Sequence, residues 1–284
     1  MFKLSLRFLV YLTAIGGVFS AEAAPKRKKR LSKKAQKLNS KQKIQVVSDN
    51  PSARYYYLFD SDYAVVNLKS PQDALEIVRK ILPSNPVILE AGAYDGSDAV
   101  NLARTWPNGM VYSFEPIGEL FAKASQTITT AGVSNAFIFN YALGDYVGAA
   151  DMFVSEEPNA PGVPSQSSSL LAPKEHLVYF GTQFLRNTIV PVITIDAWAQ
   201  EHNISHVDLL WLDMQGYELP ALMASPKIFK TVKAVLMEVE FAELYAGQYQ
   251  FDQVKAWFES QGFELFALHI NGQSFGDALF IRKS

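Results

Sequence analysis

The 284-residue chain contains no cysteine. Disulfides, cysteine-ligated zinc and a thiol nucleophile are therefore excluded. Their absence suits an exported protein as well as a cytosolic one. Histidine is scarce too: His176, His202, His206 and His269 are the only four, and they give no metal site in this reading. Asp213 and the neighbouring acids leave a divalent ion open as an alternative. No G-x-x-x-x-G-K sequence occurs, so the usual triphosphate cradle is missing. No internal repeat is visible.

What the chain does have is apolar material, 49% of its residues, enough for a full core. Its length fits one sizeable domain with appendages, or at most two. The net charge of −2 hides a split. Lys26 to Lys43 hold ten basic residues and no acid, whereas residues 44 onward hold 14 basic and 27 acidic residues. An acidic body argues against a nucleic-acid-binding face. The arm, residues 25–50, reads as a disordered, solvated linker whose charge could meet an anionic membrane surface.

Residues 1–24 have the pattern of a signal peptide. Lys3 and Arg7 precede the apolar run FLVYLTAIGGVFS, and Ala21, Ala23 and Ala24 supply small residues at a cleavage point. The run is short for a membrane span. Export is the first expectation. The basic cluster after the run supports a second, a signal-anchor that leaves the body, residues 51–284, tethered and facing the cytoplasm.

From about residue 85 to 261, strand and helix patterns alternate. VILEAG, GMVYSFEP, NAFIFNYAL, VDLLWLD and KAVLMEVEF read as strands. SDAVNLARTW, with Ser97 and Asp98 as candidate caps, IGELFAKASQTI and FDQVKAWFESQGF read as helices. An earlier helix is expected over PQDALEIVRKIL. TIVPVITI reads as a strand leading into a helix, AADMFVS as a short strand, and the Pro- and Ser-rich stretch 155–170 as a loop. FELFALHI and DALFIRK form a closing hairpin. The pattern predicts an α/β fold: a mostly parallel sheet with helices on both faces. Ligands of such sheets sit outside the carboxyl ends of the strands. Glu90, Glu115 and Asp213 end three of those strands, and Glu238 and Glu240 close a fourth.

The turn EAGAYDG, residues 90–96, lacks the G-x-G-x-x-G spacing of the dinucleotide fingerprint, which argues against a nicotinamide-dependent oxidoreductase. Gly92 and Gly96 allow close approach to the backbone. Glu115, 25 residues after Glu90, is placed to accept hydrogen bonds from two ribose hydroxyls. An acidic first strand end tolerates a cationic nucleoside better than a pyrophosphate, and S-adenosylmethionine is such a ligand.

Six ordered blocks extend this reading: ILEAGAYDG (88–96), VYSFEP (111–116), NYALGD (140–145), SSSL (167–170), VPVITIDAW (190–198) and DLLWLDMQGYEL (208–219). In these the chain resembles the FkbM-type, S-adenosylmethionine-dependent methyltransferases, over roughly residues 85 to 245. The resemblance implies a Rossmann-like, seven-stranded sheet whose last strand is antiparallel. It places Glu90, Gly92, Ala93 and Gly96 at the methionine half of the cofactor. Glu115 and Pro116 fall at the ribose, and Asn140 and Ala142 near the adenine. Asp213 would face the methyl group and act as base or acceptor-orienting group. Glu240 is a further catalytic candidate, with Glu238 and His176 weaker ones and Ser167–Ser169 on the substrate side. Trp211 and Gln215 stand where the family often has lysine and glutamate. The implied reaction is O-methylation of a sugar or other small hydroxylated molecule. A non-catalytic, exported binding module is the alternative, because S-adenosylmethionine is made in the cytosol.

Overall fold

The computed structural model describes residues 51, 52, 55, 65–157 and 159–283. The signal sequence of residues 1–24 and the basic arm lie outside the described residues, as do residues 56–59 of the YYYLF cluster.

The main sheet is built from β1 (Val66–Asn67), β2 (Val87–Ala91), β3 (Met110–Phe114), β4 (Ala136–Phe139), β9 (Leu209–Leu212), β10 (Ala234–Glu240), β11 (Phe263–Asn271) and β12 (Phe275–Arg282). Its order is β1-β11-β12-β10-β9-β2-β3-β4. Strand β12 runs antiparallel to both of its neighbours, and the other pairs are parallel. The seven expected strands are present with the expected closing hairpin. The eighth, β1, adds two residues along β11 at the edge.

Alternate residues of each central strand face opposite layers, as the two-residue period of a strand requires. Leu89, Leu210, Leu212, Val235 and Met237 enter one apolar cluster. That layer is covered by α5 (Ile195–Glu201), α6 (Glu218–Met223), α7 (Pro226–Phe229) and α8 (Phe251–Ser260). Ile88, Leu209, Trp211 and Leu236 enter the other. It is covered by α1 (Asp73–Val78), α2 (Ser97–Thr105) and α3 (Gly118–Ala131). Trp211 is thus core. Trp198 of α5 is fully buried and packs edge-on against Tyr112, Phe114 and Phe139. Burial of one such ring contributes about 1.5–3 kcal/mol. Tyr55 packs tilted against Phe241 and edge-on against Phe251.

Three expectations change. The predicted third strand breaks after Phe139: the chain leaves the main sheet there, and β5 (Ala142–Leu143) joins a second, four-stranded sheet. That sheet also takes β6 (Gly148–Glu157), β7 (Ala160–Pro164) and β8 (Gln183–Ile193), in the order β5-β8-β6-β7. Much of the expected loop over 155–170 is therefore strand. Pro161 and Pro164 are tolerated because β7 is an edge strand, paired with β6. Finally, Ser97 and Asp98 do not cap α2. Gly96, at φ +81°, stands at the cap, and Asp95 Oδ1 accepts the Ser97 N–H at 3.1 Å.

Met152, Val154, Val190 and Val192 of the second sheet pack with Ile117 and Leu120 at the start of α3. This contact holds the second sheet over the carboxyl ends of β2, β3 and β9.

Candidate active site

One cavity opens at those carboxyl ends. The β2–α2 turn supplies Gly92, Ala93, Tyr94 and Asp98. The end of β3 supplies Glu115, Pro116 and Ile117, and the start of β5 supplies Ala142 and Leu143. Asp213 and Met214 follow β9, and Ser165, Gln166 and Ser168 reach in from the second sheet.

The strand β2 and the segment after β9 come together at Gly92. A Cβ on Gly92 would lie 1.9 Å from the Asp213 carbonyl oxygen, and its φ is +84°. The Asp213 N–H also donates to Ala91 O at 2.9 Å. The first glycine of the turn thus serves strand-to-strand approach as well as cavity shape. Gly96 serves packing: its Cβ would lie 2.9 Å from Ala124 O of α3, and Gly96 does not line the cavity.

Glu115 is the best-fixed group of the wall. Tyr94 N–H donates to its Oε2 and Ile117 N–H to its Oε1, both at 2.9 Å. Asn140 stands behind it, with Nδ2 donating to Glu115 O at 2.8 Å and Pro116 O at 2.9 Å. Burial pushes the Glu115 carboxyl up to about 7, although the two backbone donors pull it back. Two acceptor positions on its oxygens stay open for a pair of hydroxyls.

Asp213 exposes its side chain to the cavity while protein encloses the cavity around it. Burial, then Asp277 and Asp98, push its carboxyl up to about 6, against the Gln215 hydrogen bond that lowers it. Glu218 accepts the Met214 N–H at the start of α6, and does not line the cavity.

Of the residues expected at the cofactor, Gly92, Ala93, Glu115, Pro116, Ala142 and Asp213 line the cavity, and Glu90, Gly96 and Asn140 do not. Glu90 is buried and accepts from Ser113 Oγ. Burial raises it to about 8. Glu240 is buried outside the lining, with Oε1 lacking a partner. His176 belongs to α4 (His176–Phe180) and packs among Phe180, Phe184 and Tyr245, where burial lowers it to about 4. Of Ser167–Ser169, Ser168 lines the cavity. Sequence reasoning missed Tyr94, Leu120, Met152 and Ser165. Only the left-handed backbone of Tyr94, φ +48°, betrays it as special, and a sequence does not print that angle.

The cavity lining carries Asp95, Asp98, Glu115 and Asp213 and no lysine or arginine. Those acceptors suit a cationic nucleoside and not a pyrophosphate. Residues 90–265 match the family described as Methyltransferase FkbM domain. The chain belongs to that family. It is an S-adenosylmethionine-dependent methyltransferase. A curated relative, the 2-O-methyltransferase NoeI of Sinorhizobium fredii (strain NBRC 101917 / NGR234), is 27% identical over 186 residues, 64% of this chain and 76% of the relative. The N-terminal domain of EvdMO1, crystallised in the presence of SAH and D-fucose, aligns with a TM-score of 0.45 at 11% identity, over 76% of this chain and 84% of that one. Magnesium protoporphyrin IX methyltransferase of Synechocystis PCC 6803, with bound SAM, aligns with a TM-score of 0.41 at 11% identity, over 84% of this chain and 100% of that one.

Proposed function

We propose that this methyltransferase O-methylates a hydroxyl of a saccharide or another small hydroxylated molecule. The observation that carries the reading is the placement of two carboxylates on one cavity, Glu115 fixed by backbone donors and Asp213 open to the space beyond it. The 2-O-methyltransferase named among the relatives supports the hydroxyl acceptor.

In this reading Glu115 accepts the two ribose hydroxyls of the cofactor, and Ala142 and Leu143 border the adenine. Asp98 and Asp213 balance its positive charge. The bound cofactor supplies an electrophilic methyl group on a sulfonium. This chain's task is alignment of a hydroxyl oxygen in line with that methyl, with Asp213 within reach of the hydroxyl proton. Ser168 and Gln166, from the second sheet, border the acceptor side. The sequence adds two further expectations, an N-terminal signal and a basic arm that meets anionic lipid.

The test is transfer of labelled methyl from S-adenosylmethionine by the full chain to a panel of mono- and oligosaccharides. Label in an alkali-stable ether on a sugar supports the reading. Label only on nitrogen acceptors, or on none of the sugars by a chain that binds the cofactor, overturns it.

A further inference from the structure

Behind Asp213 lies a second carboxyl that the reaction as described leaves unused. Gln215 Nε2 lies 2.6 Å from Asp213 Oδ1 and 2.6 Å from Glu238 Oε2. One amide nitrogen carries two hydrogens, so it serves both carboxyls at once. The other end of the amide is held too: Gln215 Oε1 lies 2.6 Å from Tyr245 Oη, which also lies 2.9 Å from Ser167 O. The backbone is held as well: Gln215 sits at φ +55°, and its carbonyl accepts from Ser169 Oγ at 2.8 Å.

Asp213 and Glu238 thus meet at one amide nitrogen, close enough for each charge to oppose ionisation of the other. Asp98 of α2, Glu218 of α6, Glu240 of β10 and Asp277 of β12 lie close enough to interact with the pair, and Asp277 is itself paired with His269 Nδ1 of β11 at 3.0 Å. Among the described residues, no lysine, arginine or histidine is ion-paired with Asp213 or Glu238. Two carboxylates around one amide, ringed by acids, do not both ionise readily. Asp213 faces the cavity, whereas Glu238 does not line it.

We propose that Asp213 and Glu238 act as one proton-sharing pair, with Glu238 keeping a proton at rest and Gln215 as the positioning residue that holds the two together. The proposal rests on the hydroxyl-acceptor reading above. During transfer the acceptor O–H bond breaks as its O–CH3 bond forms, and the proton goes to Asp213. The S–CH3 bond breaks and its electron pair stays on sulfur. The pair then carries two protons and returns one to solvent through the cavity. Glu238 does not touch the acceptor. It keeps Asp213 the basic member by holding the first proton.

The test is isotope-edited infrared spectroscopy of the full chain without acceptor, titrated with pH, for the wild type and for Glu238→Gln, Gln215→Leu and Asp213→Asn. Protonated carboxyls give a C=O band that amides and carboxylates lack. At about pH 7, Glu238→Gln should lose one carboxyl's share of that band. Its neutral amide mimics the protonated acid, so the fold should survive. Asp213→Asn should remove one titrating carboxyl and so identify its midpoint. Gln215→Leu should raise that midpoint by about one pH unit, because the amide bond favours the ionised form. If Gln215→Leu does not fold, Tyr245→Phe, which frees the other end of the amide, should raise it by a smaller step. An unchanged band in Glu238→Gln, or an Asp213 midpoint that neither variant moves, overturns the proposal. Sugar methylation is assayed separately, so failure of the acceptor reading leaves the band result legible.

Discussion

Gly92 and the Asp213 backbone approach so closely that a single methyl between them would overlap an oxygen: the added Cβ falls 1.9 Å from Asp213 O. That approach brings the ends of β2 and β9 to one edge of the cavity. Gly92→Ala combines the clash with a left-handed φ that alanine disfavours. It should cost about 2–4 kcal/mol. Thermal unfolding checks this, and a variant as stable as the wild type would show that the strands can separate at no cost.

Glu115→Ala removes the acceptor for Tyr94 N–H and Ile117 N–H and, in the reading proposed above, for the ribose. Cofactor affinity should fall by about 10- to 100-fold, the effect of losing a charged hydrogen-bond partner. Calorimetry with S-adenosylmethionine measures it. An unchanged dissociation constant would place the ribose elsewhere.

The same carboxyl gives a pH dependence. Glu115 is raised to about 7, so it becomes protonated as the pH falls through that value. In the proposed reading the ribose hydroxyls then meet a weaker acceptor. Affinity for the cofactor should decline from about pH 8 to pH 6, and Glu115→Gln should flatten the decline. A wild-type affinity that stays level across this range would contradict it.

Glu90 makes a separate prediction about stability. Its folded value is raised to about 8, above its ordinary value of 4.5. The native state therefore binds more protons than the unfolded state between those values, and stability falls as pH rises through that window. Glu90→Gln keeps a neutral partner for Ser113 and should remove part of the fall. Denaturant midpoints measured at about pH 5 and pH 8 test it: equal slopes in both proteins would mean that Glu90 is ionised in the fold.

Asn140→Ala tests support from behind the wall. It deletes two bonds to the carbonyls of Glu115 and Pro116 without touching the cavity. A loss of about 1–3 kcal/mol of stability is expected, together with weaker cofactor binding. Stability loss with full affinity would show that Glu115 does not need this brace.

The strand patterns of VILEA, MVYSF and VDLLWL were legible because strands buried on both faces are nearly continuous apolar runs, and turn residues end them. The acids Glu115 and Asp213 followed from strand ends. Glu90 shows the limit of that logic. It too closes a strand, but its position in the pleat aims it beside Ser113 instead of into the cavity. The second sheet was harder still. Its strands contain glycine, proline and serine, and local pattern cannot say that TIVPVI pairs with GAADMFVS instead of joining the central sheet.

Residue type and local period set the order of strands and helices, the strand-end acids and the acidic balance of the body. Tertiary structure alone decided that Gln215 would join Asp213 to Glu238, and that Ser165 and Ser168 would wall the cavity. Those contacts bridge segments far apart in the chain, and such meetings are fixed by strand register and packing, which no local run of residues encodes.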